Sequence, residues 1–340
     1  YLRVVGEKVK VLLAEGQPHW DTKFLVQMLK RHPRVDLTAV YRLGPERYSA
    51  VVSRQGKFKR KSANLFPQTR KELFDYDILI LGRRCESFIS QPFEETITNF
   101  VSKQGGGIVF ARGKPYSGRF YPLAKLEPVV WADGTASNIH PRFTDRALSH
   151  PVLMNAFNSD SPHEWMMRMP RPYEVMRTRG EKPLAQILAS GDRGAPQSEP
   201  AILMAFQRYG QGKAVTLNLN GMWQWAFQLQ SEESENAERF ERFWMSLLRW
   251  LLEETDFMPG ADISLKSSSR YYTDEQQIKL EIPTRGIVPE KYHPRLAVSG
   301  PDFNQRLEPA ERRGGIYSVA FGPVAPGTYQ VVLHNNIGRP

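Results

Sequence analysis

The sequence predicts an α/β domain built on a parallel sheet, followed by a smaller domain made only of strands. Three patterns indicate this: a strand, helix and strand in close succession over Asp75–Gly113, an earlier alternation of strands and helices from Val9, and period-two alternation after Pro259. At 340 residues the chain is longer than one typical domain. We therefore expect one domain over residues 1–258 and a second over residues 259–340.

The segment Asp75–Gly113 is the clearest unit of the predicted sheet. Its first strand is the apolar run that ends at Gly82, and its second follows Gly105. Between them Ser90 is a candidate helix cap, and one apolar stripe is formed by Phe93, Ile97, Phe100 and Val101. Two strands joined in this way are parallel, and ligands of parallel sheets bind beyond the carboxyl ends of the strands.

Earlier elements extend this pattern toward the N-terminus. Val9–Glu15 is predicted as the first strand, and Asp21 is predicted to cap a helix that ends before Pro33. Val35–Tyr41 is predicted as the next strand. This alternation places the ends of at least three parallel strands at one edge of the sheet.

Much of the net charge of +10 comes from one segment. Residues 54–71 hold seven basic residues and no acid, and we expect an exposed mobile loop there, or a small hairpin around Gly56. A surface for nucleic acid or anionic lipid is the alternative. Stacking aromatics are sparse in this segment, so nucleic acid is not an expected partner.

The sequence signals for secondary structure are weaker between residues 114 and 200. Residues 114–200 lack clear periodicity and are interpreted as an insertion with short strands, of which Leu184–Ala189 is the clearest. Ala201–Tyr209 and Lys213–Leu219 predict a hairpin, and Glu235–Glu254 predicts a long helix. Beyond Pro259, short alternating strands predict a β-sandwich of immunoglobulin-like type.

Several stretches together resemble a known family. They are Val11–Trp20 with Lys23–Leu25, Asp77–Gly82, Gly105–Val109 and Tyr209–Lys213. In order and spacing they are similar to a class I glutamine amidotransferase-like domain, specifically the version found in large bacterial membrane proteins beside a von Willebrand factor A module. The resemblance covers about residues 8–254. It implies a flavodoxin-like three-layer sandwich and, in active relatives, a Cys-His-Glu triad that hydrolyses glutamine.

The triad residues themselves are missing from this sequence. In active relatives a Gly-x-Cys-x-Gly elbow follows the strand that corresponds here to Ile108–Ala111, because the nucleophile must stand clear of the sheet beside oxyanion donors. This chain has Ala111-Arg112-Gly113 there, without Cys or Ser. Where relatives carry the catalytic histidine, this chain has Asn218 and Asn220. The resemblance therefore implies a domain without catalytic activity.

Cys85 is the chain's single cysteine and a weak candidate nucleophile. Arg83, Arg84 and the start of a helix beside it would lower the pKa of its thiol. The alternative is an incidental thiol on a crevice loop, which we favour because no histidine is near in sequence. His140, His150 and His163 are scattered along the sequence and do not have the spacing of metal ligands. We therefore expect neither a metal nor a cofactor.

A polar crevice is expected where the strands end. Its candidate lining residues lie at strand ends or in the turns after them, and they are Glu15, Trp20, Arg83, Cys85, Glu86, Arg112, Asn218, Asn220, Trp223 and Trp225. The charged residues could instead be rim charges and helix caps. Trp223 and Trp225 could form a stacking wall for a ligand, or they could instead close the core or a domain contact.

These observations predict a non-catalytic binding or scaffolding region of a bacterial envelope protein. Its expected partner is an unidentified protein or small ligand, and its expected location is the extracytoplasmic part of a membrane-anchored protein, with membrane contact through segments outside residues 1–340. Location and membrane context are implied by the resemblance. The alternative is a hydrolase or amidotransferase relative that uses Cys85 or a crevice carboxylate.

Overall fold

The computed structural model describes residues 8–54, 57–118, 122–157, 165, 171–192, 200–227, 233–252, 263–267, 276–284, 292–301, 303–312 and 316–334. The chain divides into two compact units, Tyr1–Thr255 and Asp256–Pro340. Among the helices of these ranges, none combines the length and the apolar composition that a bilayer crossing requires.

The first unit contains twelve described strands. In chain order they are β1 Val9–Glu15, β2 Val35–Gly44, β3 Arg47–Arg54, β4 Lys57–Lys61, β5 Ile78–Leu81, β6 Gly107–Phe110, β7 Val129–Ala136, β8 His140–Phe143, β9 Val175–Glu181, β10 Gln186–Asp192, β11 Ala201–Tyr209 and β12 Gly212–Leu217.

Seven helices of the first unit are described. They are α1 Trp20–Arg31, α2 Arg70–Phe74, α3 Gln91–Ser102, α4 Asp145–Leu148, α5 Pro151–Phe157, α6 Trp223–Phe227 and α7 Glu233–Leu252. Short 3-10 turns occupy Cys85–Ser87 and Pro122–Leu126.

Ten of these strands form one mixed sheet in the order β4-β3-β2-β1-β5-β6-β12-β11-β10-β8. The five central strands, β2, β1, β5, β6 and β12, are parallel to one another, while the outer pairs on both sides are antiparallel. β7 and β9 pair with each other in a separate two-stranded sheet. The carboxyl ends of the parallel strands therefore lie along one edge.

Both faces of the large sheet are covered by helices. In β1, Val11 and Leu13 point into the cluster that includes α1 and α7, while Leu12 and Ala14 point into the cluster that includes α2 and α3. A strand that is buried on both faces has a continuous apolar sequence. For this reason β1, β5 and β6 can be predicted from the sequence. The α/β assignment of this domain is confirmed.

The described residues of the second unit form small antiparallel sheets. Its strands are β13 Lys266–Ser267, β14 Ile278–Pro283, β15 Arg295–Ser299, β16 Asn304–Leu307, β17 Ala310–Arg312, β18 Ile316–Phe321 and β19 Gln330–His334. They form a four-stranded sheet, β13-β14-β18-β17, and a three-stranded sheet, β16-β15-β19. One apolar cluster draws on both sheets, from Leu280 and Tyr317 in the first to Leu296 and Val298 in the second. The elements described in the second unit are all strands, which agrees with the predicted β domain.

The basic segment is not the mobile loop that the sequence predicted. Lys57–Lys61 is the strand β4, which pairs antiparallel with β3 at one edge of the sheet, and the helix α2 begins at Arg70. All five side chains of β4 are exposed, so the strand shows no apolar alternation from which it could have been identified. The antiparallel pairing agrees with the alternative of a hairpin, although Gly56 itself lies outside the described residues.

Candidate functional site

Four of the predicted crevice residues meet at the carboxyl ends of the parallel strands. Glu15 ends β1, Arg83 follows β5, Arg112 follows β6 and Asn220 follows β12. Hydrogen bonds of their side chains, with each other and with the backbone of Arg83 and Arg112, join them into one polar network. The topology that brings four strand ends together is the reason that residues up to 205 positions apart in sequence, 15 and 220, can meet.

The Glu15 carboxylate is at the centre of this network and is fully buried. Its Oε1 accepts from the backbone amides of Arg83 at 3.0 Å and Gln17 at 3.1 Å, and its Oε2 accepts from Arg112 Nη1 at 2.9 Å and from the Thr22 hydroxyl. Burial raises the pKa of Glu15, and the Arg112 charge is the largest opposing influence. Four donors leave this carboxylate no position from which it could reach a substrate.

Gly82 makes room for this carboxylate. A Cβ atom at residue 82 would lie 2.2 Å from Glu15 Oε2. The glycine that ends β5 is therefore required by the close approach of a charged side chain.

Arg112 lies in the turn that directly follows β6. Its backbone φ of 134° is in a region that side chains rarely adopt. Nη1 of its guanidinium contacts Glu15, and its Nε donates to Asn220 Oδ1 at 3.3 Å. The backbone amides of Arg112 and Gly113 both donate to the Leu217 carbonyl, at 2.9 Å each. Those amides are therefore already bonded and do not form an open oxyanion hole.

The outer part of the network includes a residue from the insertion. Glu174 forms an ion pair with Arg83, whose Nη1 lies 3.2 Å from Glu174 Oε2, and that oxygen also accepts from Asn220 Nδ2 at 3.0 Å. Glu174 forms an isolated bridge with Asn220 through the backbone. Sequence reasoning missed Glu174 because the insertion shows no periodicity that would place it at the strand ends.

The other polar crevice candidates have separate roles. Asn218 holds Met176 at the start of β9: its Oδ1 accepts from the Met176 amide at 2.9 Å, and its Nδ2 donates to the Met176 carbonyl at 2.7 Å. Glu86 is exposed and accepts from the Ser117 hydroxyl at 2.6 Å. Asn218 is therefore a structural anchor of the insertion, and Glu86 lies at the rim.

Asp21 does not cap α1, contrary to the sequence prediction. The cap is His19, whose Nδ1 accepts from the Asp21 amide at 3.2 Å. The Asp21 carboxylate instead accepts from the backbone amides of Gly221 at 2.9 Å and Trp223 at 2.7 Å, and thereby fixes the turn into α6. Local spacing could not reveal this role, because the two amides are about two hundred residues away in sequence.

The three tryptophans of the predicted crevice split between surface and core. Trp20 is half exposed and lies 6.0 Å from Trp223, which stacks on Phe24. Trp225 is buried and packs edge-on against Trp165 at 5.0 Å between ring centroids. Trp225 therefore closes the core, the alternative to a ligand-stacking wall.

Cys85 is buried in the apolar cluster on the α2 and α3 face of the sheet. Its Sγ contacts the carbonyl oxygens of Ala14 at 3.4 Å, Gly82 at 3.5 Å and Arg83 at 3.8 Å. Burial, followed by the negative charge of Glu15, raises the pKa of this thiol well above its ordinary value. Cys85 is therefore not the low-pKa thiolate that the neighbouring Arg83 and Arg84 predicted, because burial is the largest influence on its pKa.

No group of three or more potential metal ligands occurs among the residues that the structure describes. His150 is buried against Phe206 and Trp250, with ring centroids 4.7 and 4.9 Å away, and His140 lies in β8. His163 lies outside the described residues. His150 is therefore part of the packed core.

A small cavity of about 20 Å³ lies beneath the network. Its walls combine the polar side chains of Asp21, Thr22 and Arg112 with apolar side chains such as Leu25 and Trp244. A volume of this size suits one water molecule at most. Among the described residues, the strand ends thus hold an internally bonded ionic network, with a cavity of the size of one water molecule beside it.

Comparisons with known proteins give a distant structural likeness. No protein-family model and no curated protein matches the sequence. Among solved structures, that of Agd3, a carbohydrate deacetylase, matches with a TM-score of 0.43 and 8% sequence identity. The match covers 71% of this chain and 32% of the Agd3 chain, so the present chain spans about a third of that protein.

Proposed function

We propose that this chain is a non-catalytic binding or scaffolding region of a bacterial envelope protein, built on a glutamine amidotransferase-like fold without the Cys-His pair. One observation carries the proposal. The strained turn after β6, where active relatives place their nucleophile, holds Arg112, and the Arg112 guanidinium is bonded to the buried Glu15 carboxylate.

The arrangement of the parallel strands supports the fold part of this proposal. Numbered along the chain, the five parallel strands have the order 2-1-3-4-5, which is the flavodoxin-like order. Helices cover both faces, and a backbone of positive φ follows the fourth of these strands. The two-sheet second unit suits an immunoglobulin-like β-sandwich.

Chemistry at the strand ends supports the non-catalytic part. Glutamine hydrolysis by this scaffold needs a nucleophile and a base within about 2.6–3.2 Å of it. Arg112 is not a nucleophile, and the amides that would stabilise an oxyanion are bonded to the Leu217 carbonyl. The alternative enzyme is not favoured, because Cys85 contacts backbone carbonyls and Glu15 is surrounded by donors.

The binding role and the envelope location in this proposal are based on the resemblance to the amidotransferase-like domains. Members of the resembled group are parts of large bacterial membrane proteins, which suggests an extracytoplasmic region that contacts a protein or a small ligand. A scaffold whose strand ends are filled by its own hydrogen-bonded side chains is suited to such a structural role.

Two assays on the purified chain test this proposal. We expect no ammonia release from glutamine above the buffer rate, because no described nucleophile is paired with a base at the strand ends. We also expect no modification of Cys85 by a glutamine-analogue diazoketone, measured by intact mass. The same thiol should react fully with a maleimide once the chain is unfolded in denaturant, which shows that it is intact.

A saturable modification of native Cys85 would contradict the proposal. So would ammonia release that the substitution Cys85→Ser abolishes. Cys85→Ala is the matched variant for folding, since it retains a small side chain in the same apolar cluster and removes the sulfur.

A further inference from the structure

The edge strand β4 concentrates charge at the side of the large sheet. It pairs with β3 alone among the described strands, and all five of its side chains, in the sequence Lys-Phe-Lys-Arg-Lys, are exposed. An edge strand presents a row of backbone donors and acceptors to any further strand. We call this strand and the groove beside it the β4 edge.

Nothing across the strand pair compensates these charges. The residues of β3 that face β4 are Ala50, Val51, Val52, Ser53 and Arg54, and Arg54 is directly opposite Lys57. Like charges opposite each other oppose sheet formation. In the described parts of the chain, none of the four basic residues of β4 forms an ion pair.

The groove between β4 and α1 is also rich in basic side chains. It has a volume of about 480 Å³, and the described residues that line it include Lys23, Lys30 and Arg60 but no aspartate or glutamate. Two half-exposed aromatic rings border it: Lys23 Nζ lies 4.1 Å from the centre of the Trp20 ring, and Lys30 Nζ lies 4.3 Å from that of Phe58. Partial burial, then the charges of Arg31 and Arg60, lower the pKa of Lys30, as expected where cations lack a counterion.

The surface beside the opposite face of β4 carries charges of both signs. There Lys61 borders a hollow whose lining also contains Glu72 and Asp75. The acid-free side is therefore the one toward α1, where Phe58 and Arg60 point.

We propose that the β4 edge binds an acidic, extended peptide segment of a partner protein as an additional strand. An incoming strand would satisfy the outer backbone groups of β4, and side chains on the α1 side would place an apolar residue near Phe58 and a carboxylate near Arg60. Nucleic acid or an acidic glycan matches the charge but offers no backbone of this spacing. The observations therefore favour a peptide over those polyanions.

Lysines on an edge strand also serve to prevent edge-to-edge aggregation. That role needs only scattered charges and does not require an acid-free groove with two exposed aromatic rings beside the strand. The two interpretations differ in one measurable property, which is saturable binding that depends on the backbone of the ligand.

Fluorescence anisotropy with short labelled peptides tests the proposal on the full chain. The first peptide alternates Asp or Glu with Val or Thr, and the second has the same charge with proline at alternate positions. We expect the proline peptide to bind at least about tenfold more weakly, because it cannot donate backbone hydrogen bonds to β4. The variant Arg60→Glu should weaken the first peptide by at least about tenfold, whereas Lys103→Glu, the same change at an exposed site after α3, should not.

Single-stranded DNA and heparin of similar charge complete the experiment. Equal binding of both peptides, or tighter binding of either polyanion that Arg60→Glu also abolishes, would overturn the proposal in favour of a general anion surface. Absence of saturable peptide binding would overturn it in favour of a protective edge. This proposal is independent of the proposed lack of catalysis, because the outcome of the peptide-binding experiment does not affect the outcome of the glutamine assay.

Discussion

Replacing Glu15 by glutamine should destabilise the first unit by about 3–5 kcal/mol, the cost of leaving one partner of a buried ion pair without its counterion. Glutamine preserves the shape and an acceptor for the amides of Arg83 and Gln17, but it removes the charge that faces Arg112. Only 4% of the Arg112 side chain is exposed, so water cannot replace the lost Glu15 carboxylate. Urea denaturation followed by tryptophan fluorescence would measure the change, because all seven tryptophans lie in this unit.

Thr22→Val is the matched control for this experiment. It removes one neutral donor to the same carboxylate, and we expect a loss of about 1 kcal/mol. A double-mutant cycle with Arg112→Gln should give a large coupling energy, because each single variant leaves the other charge buried. Similar losses for Glu15→Gln and Thr22→Val, or additive effects in the cycle, would show that the ion pair is not the centre of the network.

This network explains how the strained turn after β6 is held in place. The positive φ at Arg112 costs energy that an ordinary turn would avoid. Bonds from the Arg112 guanidinium to Glu15 and Asn220, and from its amide to Leu217, hold the residue in that conformation. A charged side chain at the strained turn therefore contributes to stability where relatives of the proposed family use a reactive one.

The sequence could predict the elements whose signals are local. The strand β1 and the helix α3 with its buried Phe93, Ile97, Phe100 and Val101 follow from short-range periodicity. Gly105 has the positive φ that its place after the helix predicts. Glu15, Arg83 and Arg112 could also be proposed for one site, since each follows a predicted parallel strand.

What the sequence could not predict depends on contacts between distant segments. The strand β4 exists because β3 pairs with it, and its composition alone resembles that of a solvated loop. Desolvation of Cys85 is set by the cluster around it and reverses the effect expected from its charged neighbours. Asp21 and Glu174 acquire their roles from partners far along the chain, which no spacing rule can reveal.

Acidification should weaken the first unit through His150. Burial, with a smaller contribution from the Lys213 charge, lowers the pKa of His150 from 6.5 to about 4. The ring packs between Phe206 and Trp250, and its Nδ1 accepts from the Val152 amide at 3.3 Å, so the folded state holds the neutral form. Because the unfolded chain binds this proton more tightly, the contribution of His150 to stability is fully present above pH 6.5 and is lost as the pH falls toward 4.

The loss assigned to His150 should approach about 3 kcal/mol at the acid end of this range, since each unit of pKa difference corresponds to about 1.4 kcal/mol. The variant His150→Phe keeps an aromatic ring at the site and cannot take up a proton, so its unfolding free energy should fall less between pH 7 and pH 4. His140→Phe, the same substitution at a half-buried histidine of the edge strand β8, is the matched control for the change of side chain. Parallel pH profiles for the wild type and His150→Phe, measured by urea denaturation with tryptophan fluorescence, would show that the buried imidazole does not control acid stability.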